Sequence, residues 1–285
     1  MGAVSASSLR FNCYTFLVKY MKDQILTKLS PAYPWKDHFH FFEELDSTND
    51  RLKDMARKGA AHGTVLIADR QTGGHGRLGR SFHSPGGAGI YLSILLRPDC
   101  GPAELMHLTC ATAVAMCGAV ERAAGFRPGI KWTNDLVYNR RKLGGILTEL
   151  GLNSQAKVDY AIIGIGINCC QQPEDLPPDI RETAGSLAMA SGCEIDRSKV
   201  AAAMMEALWQ LDRTLLSGKD AMLQSYRRDC ITLGQDISLL RGEAVLHGHA
   251  LDVDENGALV VAYPDGTVEA VNSGEVSVRG MYGYV

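Results

Sequence analysis

Between Arg70 and Pro98 the chain reads RQTGGHGRLGRSFHSPGGAGIYLSILLRP, with no acidic residue but with Arg70, Arg77, Arg80, Arg97, His75 and His83. Five glycines fall between Gly73 and Gly86, where the backbone can take φ > 0 and come close to a ligand. Exposed N–H groups beside forked guanidinium charges suit a phosphate-bearing ligand; the alternative is a solvated turn with charges on its rim. Gly74-His75-Gly76-Arg77-Leu78-Gly79 also matches GxGxxG, a fingerprint that requires a helix opening at its last glycine. Here Ser81–Gly89 is rich in Ser, Pro and Gly, and Ile90–Leu96 then reads as a strand, which excludes a Rossmann turn. GxxxxGK[ST] does not occur in the chain, which excludes a P-loop.

Two more clusters can do chemistry. Lys131-Trp132-Thr133-Asn134-Asp135 and Lys142-Leu143-Gly144-Gly145-Ile146 place Lys131 and Lys142 on consecutive strand-like segments joined by a turn. Both ammonium groups can then reach one anion, and Asn134 and Asp135 add oxygens of the kind Mg²⁺ takes. A β-hairpin with charged ends would show the same pattern. Gly164-Ile165-Gly166-Ile167-Asn168 sets two glycines in an apolar strand, so either a ligand or a packed helix approaches its backbone closely.

The elements that must hold these residues follow from periodicity. His38–Glu44, Thr64–Ala68, Ile90–Leu96, Ile130–Trp132, Val137–Tyr138, Ile146–Leu150 and Tyr160–Ile167 are predicted strands. Helices are predicted over Leu9–Leu29, over Asn49–Lys58 behind the capping residues Asp46–Asn49, and over Pro102–Ala124, with two or three more in Pro178–Cys230. Strands close in sequence with few crossover helices imply a mixed, largely antiparallel sheet in an α/β (α+β) domain. Beyond Ile231 the pattern changes to short strands, Ile237–Leu240, Ala244–Val253, Leu259–Ala262, Val268–Val271 and Val276–Val278, with hairpin turns at Asp254–Gly257 and Pro264–Gly266. The expected organisation is an N-terminal helical extension over 1–35, a catalytic domain over 36–230 and a small barrel over 231–285.

At 285 residues, 46% hydrophobic and 21% charged, the chain has an ordinary globular composition. Its net charge is −3; the piece from Ile231 onward carries two basic and eight acidic residues, which leaves +3 for the rest. That balance argues against a nucleic-acid module at the C-terminus. The eight cysteines show no CxxC and no zinc spacing, as expected of reduced, intracellular thiols. Lys19, Lys22, Asp23 and Lys28 interrupt the N-terminal segment, so it reads neither as a membrane span nor as a secretory signal.

Taken together, the motifs resemble one family, the biotin protein ligases, from about Asp46 to Arg279. Ser47-Thr48-Asn49 resembles the family's biotin-pocket segment, and Gln71 with Gly74 to Arg80 resembles its GRGRxGR adenylate loop. Lys131 to Asp135 resembles KWPND, and Lys142 to Ile146 resembles the KxxGI segment with its active-site lysine. Gly164 to Asn168 matches GIGIN, and Gly274 to Arg279 matches the end of the C-terminal barrel. The resemblance implies a class II synthetase-like domain followed by an SH3-like barrel. It also implies ATP-dependent activation of biotin as biotinyl-5′-AMP and transfer to a lysine of a biotin carboxyl carrier protein domain.

By the same resemblance, Lys142 and Arg77 are the catalytic candidates. Ser47, Thr48, Asn49, Gln71, Gly74, Arg77, Lys142, Gly145, Gly164 and Gly166 would hold biotin. His75, Arg77, Arg80, Lys131, Asn134, Asn168 and Arg279 would hold the nucleotide, with Mg²⁺ at Asp135. Two departures stand out: His75 replaces an arginine, and Thr133 replaces the motif's proline, which should loosen that turn. The resemblance further implies a cytoplasmic monomer or homodimer with no nucleic-acid or membrane partner, of the shorter class without a DNA-binding domain. A lipoate–protein ligase of the same fold and a non-enzymatic biotin-responsive regulator are the alternatives.

Overall fold

Strand β3 (Gly89–Leu96) is buried at every position, as its largely apolar run requires of a strand covered on both faces. The computed structural model describes residues 20–272 and the backbone of 277–280. Around β3 lie β1 (Phe39–Leu45), β2 (Thr64–Gln71), β4 (Gly129–Lys131), β5 (Asp135–Tyr138), β6 (Arg141–Leu152) and β7 (Val158–Asn168). They form one sheet of order β1-β2-β3-β7-β6-β5-β4. Only β1 and β2 run parallel; the other pairs of this sheet are antiparallel.

Helix α2 (Thr48–Arg57) starts where Ser47 caps it, the Ser47 hydroxyl oxygen accepting from the Asp50 N–H at 3.3 Å. It covers one face of the sheet over Leu66, Leu95, Tyr160 and Ile162. The other face carries the main core, under α3 (Leu108–Ala124) and α5 (Arg197–Thr214), with α4 (Leu187–Ser191) and α6 (Lys219–Asp229) around it. Residues 102–124 are apolar and long enough to cross a membrane, but 61% of that window is buried inside this fold. Pro102–Leu105 is a separate 3₁₀ turn, so the helix expected from Pro102 begins at Leu108.

Of the helix expected over Leu9–Leu29, residues 20–28 form α1; the part before Tyr20 and Cys13 lie outside the described residues. Ile25, Leu29, Tyr33 and Trp35 are at most 7% exposed and join the main core, so residues 20–35 are a layer of this domain and not an appendage. Strands β8 (Asp236–Arg241), β9 (Ala244–Val253), β10 (Leu259–Ala262), β11 (Val268–Val271) and β12 (Ser277–Gly280) form an antiparallel sheet of order β11-β10-β9-β8-β12. The seven described cysteines are free, and burial pushes the Cys110 thiol up to about 11 and Cys117 to about 12.

Candidate active site

Register builds the floor of the site. Tyr91, Gly166, Gly145, Asp135 and Lys131 pair in one row across β3, β7, β6, β5 and β4, on the face that α2 covers. Lys142 joins them through a β-bulge. Residues three apart in a regular strand face opposite ways, but Leu136 pairs with Gly144 while Val137 pairs with Lys142, so Leu143 is an extra residue in β6. Lys142 therefore lies on the side of Gly145, with Nζ 2.7 Å from Asp135 Oδ1. A Cβ on Gly145 would sit 3.2 Å from that ammonium. The backbone of Lys142 is held by the 183–185 segment: its N–H donates to Thr183 O at 2.7 Å, and its carbonyl accepts from the Gly185 N–H at 2.9 Å.

The glycine loop folds over this floor and bonds to itself. Gln71 N–H donates to Ser84 O, Phe82 N–H to Gly74 O and Gly76 N–H to Arg80 O, at 3.1, 2.9 and 2.7 Å. Arg77 reaches across to Asn134, donating to Oδ1 at 3.0 Å. Burial lowers the Arg77 guanidinium below the usual arginine value; Asp135 opposes the shift and Arg80 adds to it. A bound anion would relieve that penalty. His75 Nδ1 lies 3.2 Å from Gly73 O and 3.8 Å from Asp50 Oδ2.

Enclosed between loop and sheet is a cavity of about 520 Å³. Ser47, Thr48, Asn49, Gln71, His75, Arg77, Arg80, Lys131, Asn134, Asp135, Lys142, Gly145, Gly164 and Gly166 all line it. Four permanent cations thus face one carboxylate among the described lining residues. At the α2 end the polar groups are oriented by one another. Thr48 donates through N–H and hydroxyl to Gln71 Oε1, at 2.9 and 3.0 Å, and Gln71 Nε2 donates to Ser84 Oγ at 3.2 Å. This leaves a second Gln71 N–H and the Ser47 hydroxyl hydrogen to donate inward.

Several expectations meet a different arrangement. Arg70 pairs with Glu44 on the surface, and Arg97 donates to Ala56 O, Ala60 O and Asp159 beyond the far end of β3. Of the four arginines in this stretch, Arg77 and Arg80 are the ones that line the cavity. Gly74 does not line the cavity; a Cβ there would meet Ser84 Oγ at 2.7 Å and Gln71 Nε2 at 2.9 Å, so the glycine seats Gln71. Asn168 is also outside the lining, its Nδ2 donating to Gly185 O and its Oδ1 accepting from Gln171, which ties it to the segment that holds Lys142. The Arg279 side chain lies outside the described residues. What approaches the two glycines of β7 is the chain itself: Asn49 sits over Gly164 and the Phe82 ring over Gly166.

The oxygens expected to hold Mg²⁺ do not stand open in this structure: Asp135 Oδ1 faces the Lys142 ammonium and Asn134 Oδ1 takes the Arg77 N–H. Nor is the turn at Thr133 loose. Thr133 is 3% exposed, and its carbonyl accepts from the Tyr226 hydroxyl at 3.2 Å.

Sequence reasoning missed Trp132, Phe82, Leu147, Ile165 and Thr183 in the lining. It also missed Ser93, whose hydroxyl lies between Thr48 Oγ1 (2.7 Å) and Asn49 Oδ1. As the one polar side chain in the apolar run Ile90–Leu96, Ser93 carried a legible signal.

Comparison with known proteins agrees with this geometry. The sequence profile of the biotin/lipoate A/B protein ligase family matches residues 41–168, and that of the biotin protein ligase C terminal domain matches residues 232–279. The chain is 33% identical over 242 residues to the bifunctional ligase/repressor BirA of Bacillus subtilis, covering 85% of this chain and 74% of that one. It is 31% identical over 239 residues to the biotin–[acetyl-CoA-carboxylase] ligase of Mycobacterium tuberculosis, covering 81% and 85%. The biotin protein ligase from Aquifex aeolicus, solved in complex with biotin and ATP, aligns with a TM-score of 0.72 at 30% identity, covering 85% of this chain and 98% of that one. With this cation-lined cavity on a seven-stranded sheet and relatives that match both parts of the fold, the chain belongs to the biotin protein ligase family.

Proposed function

We propose that the cavity activates biotin with ATP and that the protein then transfers biotin to a lysine of a biotin carboxyl carrier protein domain. The convergence of Arg77, Arg80, Lys131 and Lys142 on one cavity whose other end is polar and neutral carries this reading. The biotin carboxylate attacks the α-phosphorus of ATP, pyrophosphate leaves, and biotinyl-5′-AMP forms. Two anions must meet in that step, so the protein's task is charge and in-line placement rather than a nucleophile of its own.

Lys142, aimed by Asp135, and Arg77, aimed by Asn134, supply charge at the reacting centre. Lys131 and Arg80 meet the phosphates, with His75 beside them. Ser47, Thr48 and Gln71 hold the polar end of biotin, and the floor around Gly164 and Gly166 takes its apolar part. In the second step the acceptor amine attacks the mixed anhydride and AMP leaves, with the loop keeping water out. We place the boundary between catalytic domain and C-terminal sheet near Cys230. The seven cysteines among the described residues, all free, support work in a reducing, cytoplasmic compartment.

Incubation with labelled biotin or lipoate, ATP and a carrier domain tests the reading. Biotin-dependent pyrophosphate release and label on the carrier are expected; label from lipoate alone would overturn it.

A further inference from the structure

Three side chains outside the cavity grip the turn that carries its nucleotide-facing charge. Trp132 N–H donates to Thr232 Oγ1 at 2.9 Å, across 100 residues of sequence. Its indole Nε1–H donates to Gly257 O at 3.0 Å, in the turn between β9 and β10. The next carbonyl, Thr133 O, accepts from the Tyr226 hydroxyl of α6 at 3.2 Å, and Thr133 Oγ1 lies 3.6 Å from Cys110 Sγ. Trp132, Thr133, Tyr226 and Thr232 are all at most 5% exposed. The chain leaving α6 also runs beside β4: Cys230 bridges to Ile130 in parallel, and Ile231 N–H donates to Ile130 O at 2.9 Å.

Lys131 precedes this gripped pair and Asn134, the partner of Arg77, follows it. Lys131, Trp132 and Asn134 line the cavity, while Thr133, Tyr226 and Thr232 do not. A buried hydrogen bond fixes such a turn cheaply, because no water competes for the partners. The Thr48, Gln71 and Gly164 end of the cavity shares none of these contacts.

We propose that Tyr226 and Thr232 are positioning residues for the ATP side of the site, holding the Trp132–Thr133 backbone so that Lys131 and Asn134 present to the nucleotide. The proposal rests on the functional reading above. It makes the junction into the C-terminal sheet part of the nucleotide cradle.

The test uses the full chain with Tyr226→Phe and Thr232→Val, each removing one hydroxyl at nearly constant shape. Pyrophosphate release is measured with ATP and biotin titrated separately, alongside thermal melting. About a five- to tenfold rise in KM for ATP is expected in either variant, the size of one lost hydrogen bond, with KM for biotin within twofold. Thr232→Ser, which keeps the hydroxyl, should restore the parent value. A KM for ATP within twofold of the parent in both variants overturns the proposal, as does an equal rise in both KM values or a loss that tracks melting alone. Should Tyr226→Phe fail to fold, the Thr232 pair decides. A parent protein that releases no pyrophosphate with biotin and ATP fails the functional reading instead, and is distinguished by that.

Discussion

Lys142 Nζ lies 2.7 Å from Asp135 Oδ1, and the missing side chain of Gly145 leaves the space in which they meet. The pair is partly exposed to the cavity, with side chains 28% and 18% accessible. Asp135 therefore orients an ammonium that still has two N–H donors for substrate. Replacing Lys142 by alanine should lower biotinyl-adenylate formation by at least about a hundredfold, the scale of a lost transition-state donor, with the melting temperature little changed. Pyrophosphate release near the parent rate would remove Lys142 from the mechanism.

Arg77 brings loop charge into the cavity and donates to Asn134 Oδ1. Arg77→Ala should shorten adenylate retention about ten- to a hundredfold, one charge-assisted contact of roughly 1.5–3 kcal/mol. Arg77→Lys should lie between, because lysine lacks the fork. His75→Arg should change retention little if Arg77 alone bears the role. Filter-binding decay of labelled adenylate measures all three, and a slower decay in His75→Arg would give position 75 a share.

The two glycines of β7 should separate stability from binding. At Gly164 a Cβ would fall 2.1 Å from Asn49 Oδ1, and Asn49 is locked by Glu149 and Ser93. Gly164→Ala should thus destabilise the fold by about 1–3 kcal/mol through overpacking. At Gly166 the obstacle is the ring of the half-buried Phe82, at 2.5 Å. Gly166→Ala should weaken biotin binding while urea unfolding stays near the parent. Equal unfolding midpoints in the two variants would contradict this split.

Asp229, 5% exposed at its side chain, ends α6 against Arg127 and Arg228. Burial pushes its carboxyl up, but the hydrogen bonds and charges of the two arginines outweigh it and hold it below the usual carboxylate value. The folded state thus binds this proton less readily than the unfolded state does. Its stabilisation is complete above the unfolded value, about 3.9, and is lost as pH falls through the folded one. Asp229→Asn should cost about 3 kcal/mol at pH 7. In urea titrations the gap to the parent should narrow below about pH 4, and a gap independent of pH would refute the assignment.

The strands, the capped helix α2 and the loop between β2 and β3 were legible because alternation, capping residues and glycine clusters are local signals. The family resemblance supplied lining residues in five separate motifs. Arg70 and Arg97 were misjudged because their partners, Glu44 and Asp159, lie 26 and 62 residues away. The grip of Thr232 on Trp132 is longer still in sequence. Asn168 reads as a ligand in its motif, yet its amide is consumed by Gly185, and only the folded chain places that carbonyl beside it.

The extra residue at Leu143 bears on which insertions and deletions the chain tolerates. Because side chains alternate sides along a strand, regular pairing of Val137 with Leu143 would turn Lys142 to the opposite face, into the apolar core. Deleting Leu143 would instead leave the lysine two positions before Gly145 and on the same side. Shortening by that one residue is therefore compatible with the site, whereas the full-length strand needs its bulge for the ammonium to reach the cavity.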